Sequence, residues 1–101
     1  MNSFQEIENL IKTNKVVLFM KGEKNQPECG FSMQVVEVLN ELDADFYSVN
    51  VLTRPDIRKD LKEYSSWPTF PQLYVDGELI GGADIVKSLY MDSELEKILF
   101  N

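Results

Sequence analysis

Cysteine is nearly absent from this sequence. The 101 residues contain only one, Cys29, so no disulfide bond can form within the chain. Small secreted domains of this size usually carry several disulfides, whereas a lone thiol is typical of a reducing compartment. The scarcity of cysteine therefore predicts a cytoplasmic protein.

Positive charge is also in short supply. Ten Lys and Arg residues stand against seventeen Asp and Glu residues, which gives a net charge of −7. A protein that binds a phosphate backbone or an anionic membrane surface usually has the opposite balance. We therefore expect neither nucleic acid nor a membrane as a partner.

Long apolar runs are missing as well. The longest uninterrupted run, Val16–Met20, is far shorter than the roughly 20 residues that cross a bilayer. The N-terminal segment MNSFQEIENLIKTNK lacks the apolar core of a signal peptide, so no secretion signal is expected. With 44% hydrophobic residues the chain can bury one modest core, which predicts a single domain over residues 1–101.

The spacing of the apolar residues that are present predicts a helix and then a strand. Ser3 and Glu6 have the form of a capping box, and a first helix is predicted to end near Asn14. The run Val16–Met20 is short and partly β-branched, which predicts a strand covered on both faces. A polar loop is expected over residues 21–28.

Helix and strand patterns alternate again in the middle of the chain. Apolar residues at steps of three and four predict a helix over residues 30–42, and residues 46–51 alternate well enough for a second strand. Thr53 as a cap and Pro55 in the first turn predict a third helix that runs to about Tyr64.

The last third of the chain contains a hairpin pattern. Residues 73–75 and 78–80 flank Asp76-Gly77, a dipeptide that supplies positive φ in a two-residue turn, so this strand pair should be antiparallel. Apolar residues between 85 and 99 predict one broken or two short helices. The whole order indicates an α/β fold, a small four-stranded mixed sheet flanked by helices on both faces.

The lone cysteine lies in the stretch PECGFS, at the start of the second predicted helix. The unpaired N–H groups and the helix dipole at that position favour thiolate over thiol, so Cys29 should be reactive or metal-ligating. The alternative is a buried structural cysteine that acts as a small hydrophobe. Ser32 stands where a dithiol protein would carry its second cysteine, and its hydroxyl cannot resolve a mixed disulfide.

Several polar residues elsewhere have two interpretations. Lys21 could approach the thiolate or a bound carboxylate, or it could be a solvated lysine at a strand end, and Arg58 is equally ambiguous. Gly82 and Asp84 open a helix, where backbone N–H groups could bind an anion, although a plain N-cap is the simpler explanation. Phe70-Pro71 in the segment WPTFP is a candidate for a cis peptide bond, the alternative being a rigid turn.

Taken together, four features closely resemble the monothiol glutaredoxins. They are FMKG at residues 19–22, PECGFS at 27–32, WPTFPQLYVDGELIGG at 67–82, and Asp84. The similarity covers nearly the whole chain and implies a thioredoxin-like fold, which agrees with the element order.

The resemblance also implies a glutathione site. Lys21 and Arg58 would pair with the glycyl carboxylate of the tripeptide, Thr69 beside a cis Pro71 would supply main-chain hydrogen bonds, and residues 82–84 would hold the γ-glutamyl end. Many relatives carry a second cysteine where this chain has Ala83. The implied site comprises Lys21, Cys29, Phe31, Arg58, Thr69, Phe70, Pro71, Gly82 and Asp84.

A count of ligands connects the single thiol with metal chemistry. A [2Fe–2S] cluster usually needs four thiolates, and this chain offers one, Cys29. Two chains, each with one bound glutathione, would supply four sulfurs, so the resemblance implies a cluster-bound homodimer. The expected function is to carry the cluster to apo-proteins, with BolA-like proteins as further partners implied by the resemblance.

Two other functions compete with the carrier interpretation. One is a glutathione-dependent oxidoreductase that attacks protein–glutathione mixed disulfides through Cys29. The other is a redox-inert interaction module that uses only the fold.

Overall fold

Helices and strands alternate along the chain. The computed structural model describes residues 1–101. None of its helices combines the length and the apolar character that a membrane-spanning helix requires. The strands are β1 (Val16–Met20), β2 (Gly22–Glu23), β3 (Gln26–Pro27), β4 (Tyr47–Asn50), β5 (Gln72–Val75) and β6 (Glu78–Gly81). The helices are α1 (Ser3–Thr13), α2 (Gly30–Glu41), α3 (Pro55–Ser65), α4 (Ala83–Met91) and α5 (Leu95–Leu99).

The central sheet has four strands in the order β4-β1-β5-β6, as a thioredoxin-like fold requires. β1 pairs with β4 in parallel, because α2 carries the chain back across the sheet between them. β5 pairs antiparallel with both β1 and β6. The turn between β5 and β6 has positive φ at Asp76 and Gly77, 51° and 82°, which confirms the predicted hairpin.

Alternation along β1 divides the core between the two faces of the sheet. Val16, Leu18 and Met20 pack on the face covered by α2, α4 and α5, whereas Val17 and Phe19 pack on the face covered by α1 and α3. All five side chains are buried. Helices therefore cover both faces, as the continuous apolar run of β1 predicted.

The capping box of α1 is formed by a different pair from the predicted one. Asn2 is the N-cap: its side chain accepts the N–H of Gln5 at 2.9 Å, and the Gln5 side chain accepts the N–H of Asn2 at 3.0 Å. The Ser3 hydroxyl instead donates to the Asp60 carboxylate on α3. The predicted capping box of Ser3 and Glu6 is therefore wrong, because the Ser3 hydroxyl forms a hydrogen bond to α3 instead of capping α1.

The predicted cap of α3 is also wrong. Arg54 occupies the N-cap position, with Pro55 at the first helical position as expected, while the Thr53 hydroxyl donates to the Asn50 carbonyl at 3.1 Å. The Arg54 guanidinium donates to both Glu6 carboxylate oxygens, at 2.7 and 2.9 Å. That hydrogen bond holds the pKa of Glu6 below its ordinary value. Arg54 therefore joins the start of α3 to α1.

Residues 21–28 are not a simple loop. Gly22 pairs with Pro27, and Glu23 pairs with Gln26, so β2 and β3 form a short antiparallel hairpin. Gly22 has φ of +99°, and a Cβ there would lie 2.6 Å from the Gln26 carbonyl oxygen. The prediction missed this hairpin because two-residue strands carry no periodicity. The hairpin ends at Pro27, two residues before Cys29, and so fixes where the chain enters α2.

Several predicted element boundaries differ from the observed ones by one residue. β4 is one residue shorter at each end than the predicted strand over residues 46–51, although Phe46 and Val51 are both buried. The N–H of Val51 still donates to the carbonyl of Met20 at 2.9 Å. The C-terminal pattern resolves into two helices, α4 and α5.

The packing of α2 against the sheet generates a stability prediction. Leu39 is fully buried in the core beneath α2, whereas Leu52 is 41% exposed. Leu39→Ala should lower the free energy of unfolding by about 2–5 kcal/mol, because truncation leaves a cavity, and Leu52→Ala should change it by less than about 1 kcal/mol. Urea unfolding followed by circular dichroism measures both. Equal losses in the two variants would contradict the assignment of Leu39 to the core.

Candidate functional site

Cys29 occupies the N-cap position of α2, two residues beyond β3. Its backbone is extended, and its carbonyl accepts the N–H of Met33 at 2.9 Å, which begins the helix. The thiol is free and half-buried. The sequence placed the cysteine at a helix N-terminus, and the structure confirms this. Partial exposure at a surface cleft argues against the alternative of a core cysteine.

Opposing influences act on the pKa of the Cys29 thiol. Partial burial raises it, because a thiolate loses solvation. The backbone N–H groups of Ser32 and Phe31, the Ser32 hydroxyl and the positive charge of Lys21 all favour the thiolate and together outweigh burial. The net effect is a pKa below the ordinary value of a thiol, so the thiolate is favoured as predicted.

Ser32 connects the first turn of α2 with the end of β1. The residue is fully buried, and its hydroxyl accepts the backbone N–H of Lys21 at 3.1 Å. Because the same hydroxyl also favours the Cys29 thiolate, the serine both anchors the helix and acts on the thiol. The sequence alone predicted no contact of this hydroxyl with Lys21 and indicated only that it cannot resolve a mixed disulfide.

The sheet topology explains why distant segments meet beside Cys29. The parallel strands β1 and β4 end at the same edge of the sheet, where Met20 lies opposite Asn50. The antiparallel strand β5 begins at that edge with Gln72, and β6 returns to it at Gly81. The residues just outside these four strand ends therefore form one cleft.

A cleft of about 440 Å³ lies at this edge. All nine residues of the site predicted from the sequence line it, namely Lys21, Cys29, Phe31, Arg58, Thr69, Phe70, Pro71, Gly82 and Asp84. Phe31 is 58% exposed beside the thiol, which is unusual for a large aromatic side chain. Ala83, which lies in the predicted 82–84 turn, also lines the cleft. Four further lining residues were not among the predicted site residues: Lys62, Trp67, Pro68 and Ile85.

Positive charge is concentrated in this cleft of an acidic protein. Lys21, Arg58 and Lys62 all line it, and none of them forms an ion pair within the chain. Lys62 follows Arg58 by four residues on α3, so the two share one helix face. That spacing was the signal that could have identified Lys62. Asp84, in the first turn of α4, is the only acidic residue among those that line the cleft.

Hydrogen bonds from the buried Gln72 side chain hold the wall formed by residues 67–71. The Gln72 side chain is fully buried, and its Nε2 donates to the carbonyls of Trp67 and Thr69 at 3.0 and 3.1 Å. The Tyr74 hydroxyl donates to Gln72 Oε1 at 3.3 Å, and burial raises the pKa of Tyr74 to about 12, which keeps this hydroxyl protonated. The Phe70-Pro71 peptide bond is cis, as predicted.

Gly82 allows the wall to approach the start of α4 closely. A Cβ at this position would lie 3.3 Å from the Pro71 carbonyl oxygen and 3.6 Å from the indole nitrogen of Trp67. The indole N–H is buried against this backbone and has no hydrogen-bond partner. A side chain larger than hydrogen at position 82 would therefore crowd the cleft.

Metal ligands are few in this chain. It contains one cysteine and no histidine, and no group of three or more His, Cys, Asp or Glu residues is arranged to hold a metal ion. The donor that suits iron–sulfur chemistry is therefore the single Cys29 thiolate.

Comparison of the sequence with known proteins identifies a family and close relatives. The glutaredoxin family profile matches residues 16–80, more than half of the chain. A protein of Rickettsia typhi described as probable monothiol glutaredoxin 2 is 61% identical over 93 residues, which cover 92% of this chain and 84% of that protein.

Solved structures give the same result. Reduced poplar apo GrxS14 is 52% identical to this chain with a TM-score of 0.81, and the match covers 93% of this chain and 86% of the poplar chain. A buckwheat glutaredoxin–glutathione complex is 25% identical with a TM-score of 0.86, over 97% of this chain and 87% of the buckwheat chain. By sequence and by fold, the chain belongs to the glutaredoxin family, among its monothiol members.

Proposed function

We propose that this protein binds a [2Fe–2S] cluster together with glutathione between two copies of the chain and delivers it to apo-proteins. The observation that carries the proposal is the position of Cys29: the only thiol of the chain, with a lowered pKa, lies at the edge of a cleft that can hold a second thiol. The cluster is the cargo of the protein.

Glutathione suits the cleft on grounds of charge. Lys21, Arg58 and Lys62 can bind a carboxylate through charge-assisted hydrogen bonds, since none is engaged elsewhere. Asp84 and the N-terminal N–H groups of α4 offer an acceptor for an amine and donors for a second carboxylate. The buckwheat protein, which shares this fold, was solved as a complex with glutathione.

The count of sulfur ligands then requires two chains. A cluster of this type needs four thiolates, and one chain supplies Cys29 plus the thiol of one bound glutathione. A second copy supplies the other two, so the cluster-loaded form is a homodimer. Ligands that can dissociate suit a protein that gives its cluster away, with apo iron–sulfur proteins and BolA-like proteins as the proposed partners.

The lowered pKa of Cys29 also favours a second candidate, a glutathione-dependent oxidoreductase. The thiolate would attack the glutathione sulfur of a mixed disulfide and release the protein thiol. A second glutathione thiolate would then attack the Cys29–glutathione disulfide, releasing oxidised glutathione and the Cys29 thiolate. Ser32 and Ala83 provide no thiol that could accelerate this step from within the chain, so we rank the carrier function first.

The ligand count predicts how the cluster assembles. Anaerobic reconstitution with iron and sulfide should give a coloured dimer only when glutathione is added, and Cys29→Ser should stay folded but colourless, because each copy then lacks its protein ligand. Visible absorption, iron and sulfide analysis, and size-exclusion chromatography measure the outcome.

Two results would oppose this prediction. A stable cluster in Cys29→Ser, or one in the unmodified protein without any added thiol, would exclude shared ligation. Absence of cluster transfer to an apo-ferredoxin, together with reductase turnover as fast as that of a dithiol glutaredoxin, would make the oxidoreductase the primary function.

The unpaired cations of the cleft predict that glutathione affinity depends on their positive charge. Replacing both Lys21 and Arg58 with Gln should weaken glutathione binding roughly tenfold or more, because charge-assisted hydrogen bonds contribute about 1.5–3 kcal/mol each. A matched control, Lys59→Gln with Lys87→Gln, removes two exposed cations outside the cleft. Calorimetry compares the two variants. Unchanged affinity in the first variant combined with a large fall in melting temperature would show that these residues are structural.

The influence of the Ser32 hydroxyl on the pKa of Cys29 predicts a shift in thiol reactivity when this hydroxyl is removed. The rate of Cys29 alkylation by iodoacetamide should rise with pH at a midpoint below that of an ordinary thiol, since the thiolate is the reactive form. Ser32→Ala should move this midpoint to higher pH, whereas Ser88→Ala, on the exposed surface of α4, should not. Circular dichroism confirms that the variants fold. Superimposable pH profiles of the alkylation rate for all three proteins would show that Ser32 does not lower the pKa of Cys29.

A further inference from the structure

A second concavity, which we call the α2–α4 groove, lies between those two helices on the outer side of the molecule. Its volume is about 470 Å³. On α2, Val35 at the base lines the groove together with Gln34, Glu37, Val38 and Glu41, which recur at intervals of three and four along the helix. This stripe covers two turns of helix, about 10 Å. The groove is therefore long enough for two turns of an added helix.

The base of the groove is apolar, and its rim leaves apolar surface in contact with water. Val35 and Val86 are buried beneath it, whereas Met91 at its end is 72% exposed. Methionine side chains adapt their shape to a partner, which suits them to protein-binding surfaces. Tyr90 adds a half-buried ring to the same wall.

The charges around the groove are free to act on a partner. Glu37 and Glu41 on α2 are exposed and form no hydrogen bond or ion pair within the chain. Lys87, the only cation that lines the groove, is also unpaired. The acidic α2 rim therefore complements an apolar ridge that carries Lys or Arg along one side.

The acidic rim also makes a second copy of this chain a poor occupant of the α2–α4 groove. It would carry the same acidic rim and the same net charge of −7 to the interface. Like charges brought together at an interface disfavour association.

The groove adjoins the Cys29 cleft. Ala83, the first residue of α4, lines both concavities, and Gln34 lies in the second turn of the helix that Cys29 caps. A protein with one segment in the groove would therefore place its neighbouring surface beside the thiol.

We propose that the α2–α4 groove docks an apolar, Lys- or Arg-flanked helical segment of the protein that accepts the cluster. This inference rests on the proposed carrier function, and it assigns to that function a docking surface separate from the glutathione cleft.

The docking step can be tested with two synthetic 14-residue helical peptides. Both carry Leu at positions i, i+3, i+4 and i+7, and one has Lys and the other Glu at the flanking positions. In two-dimensional amide NMR of the full chain, the Lys peptide should shift resonances of α2 and α4 around Val38 and Val86. The double variant Glu37→Lys with Glu41→Lys should bind the Lys peptide at least tenfold more weakly at low salt and should bind the Glu peptide more tightly.

The Met91→Asp variant should bind both peptides more weakly.

A charge-matched control separates docking from general attraction. Glu63→Lys with Glu78→Lys makes the same change in net charge at exposed positions outside the groove, and it should leave affinity for the Lys peptide within about twofold. Equal weakening by the two double variants, equal binding of the two peptides, or shifts confined to other surfaces would overturn the proposal. So would a groove-mediated dimer of the cluster-free chain that Met91→Asp dissociates.

A transfer assay separates this proposal from the carrier function. Fusing the Lys peptide to an apo-ferredoxin should accelerate cluster transfer at sub-saturating acceptor, and the double variant Glu37→Lys with Glu41→Lys should lose only that acceleration while still assembling its cluster. If the unmodified protein assembles a cluster but the fusion gives no acceleration, the docking proposal alone fails. If the unmodified protein assembles no cluster, the carrier function fails, and the acceptor role of the groove fails with it.

Discussion

The contact between the end of β1 and the first turn of α2 is the one on which the site depends. The buried Ser32 hydroxyl accepts the N–H of Lys21 and thereby holds the helix N-terminus against the strand end. Val35, about one turn further along, and Leu39, about two turns further along, anchor the helix in the core. Cys29 consequently has a fixed position at the helix N-terminus, where backbone N–H groups favour its thiolate.

The cleft beside this thiol is a consequence of strand direction. Two parallel strands end at one edge of the sheet, and an antiparallel strand begins there, so segments far apart in sequence become neighbours. The segment at residues 67–71 needs additional support because it has no partner strand. Gln72, whose side chain is fully buried, provides it through hydrogen bonds to the carbonyls of Trp67 and Thr69, and the Tyr74 hydroxyl in turn donates to Gln72.

Charge is distributed unevenly over this acidic molecule. Three unpaired cations line the cleft, whereas two unpaired glutamates border the α2–α4 groove. The cleft suits a small anionic peptide, and the groove suits a basic segment of a protein. The molecule thereby presents two neighbouring surfaces of opposite charge, and ligands of opposite charge would not compete for the same surface.

Local patterns determined much of this protein. Apolar spacing predicted the first three helices, helical structure between residues 85 and 99, and the four strands of the sheet. The Asp76-Gly77 turn predicted the hairpin, and Cys29 was placed correctly at a helix start. Each of these signals involves residues close together in the chain. Tertiary contacts decided the remainder. The Ser3 hydroxyl donates to Asp60 on α3 instead of capping α1, and Trp67 reaches the cleft only through packing. These contacts join segments that meet only after the sheet has formed, and no sequence interval encodes that distance. The Gly22 hairpin is local, but its strands are too short to show periodicity.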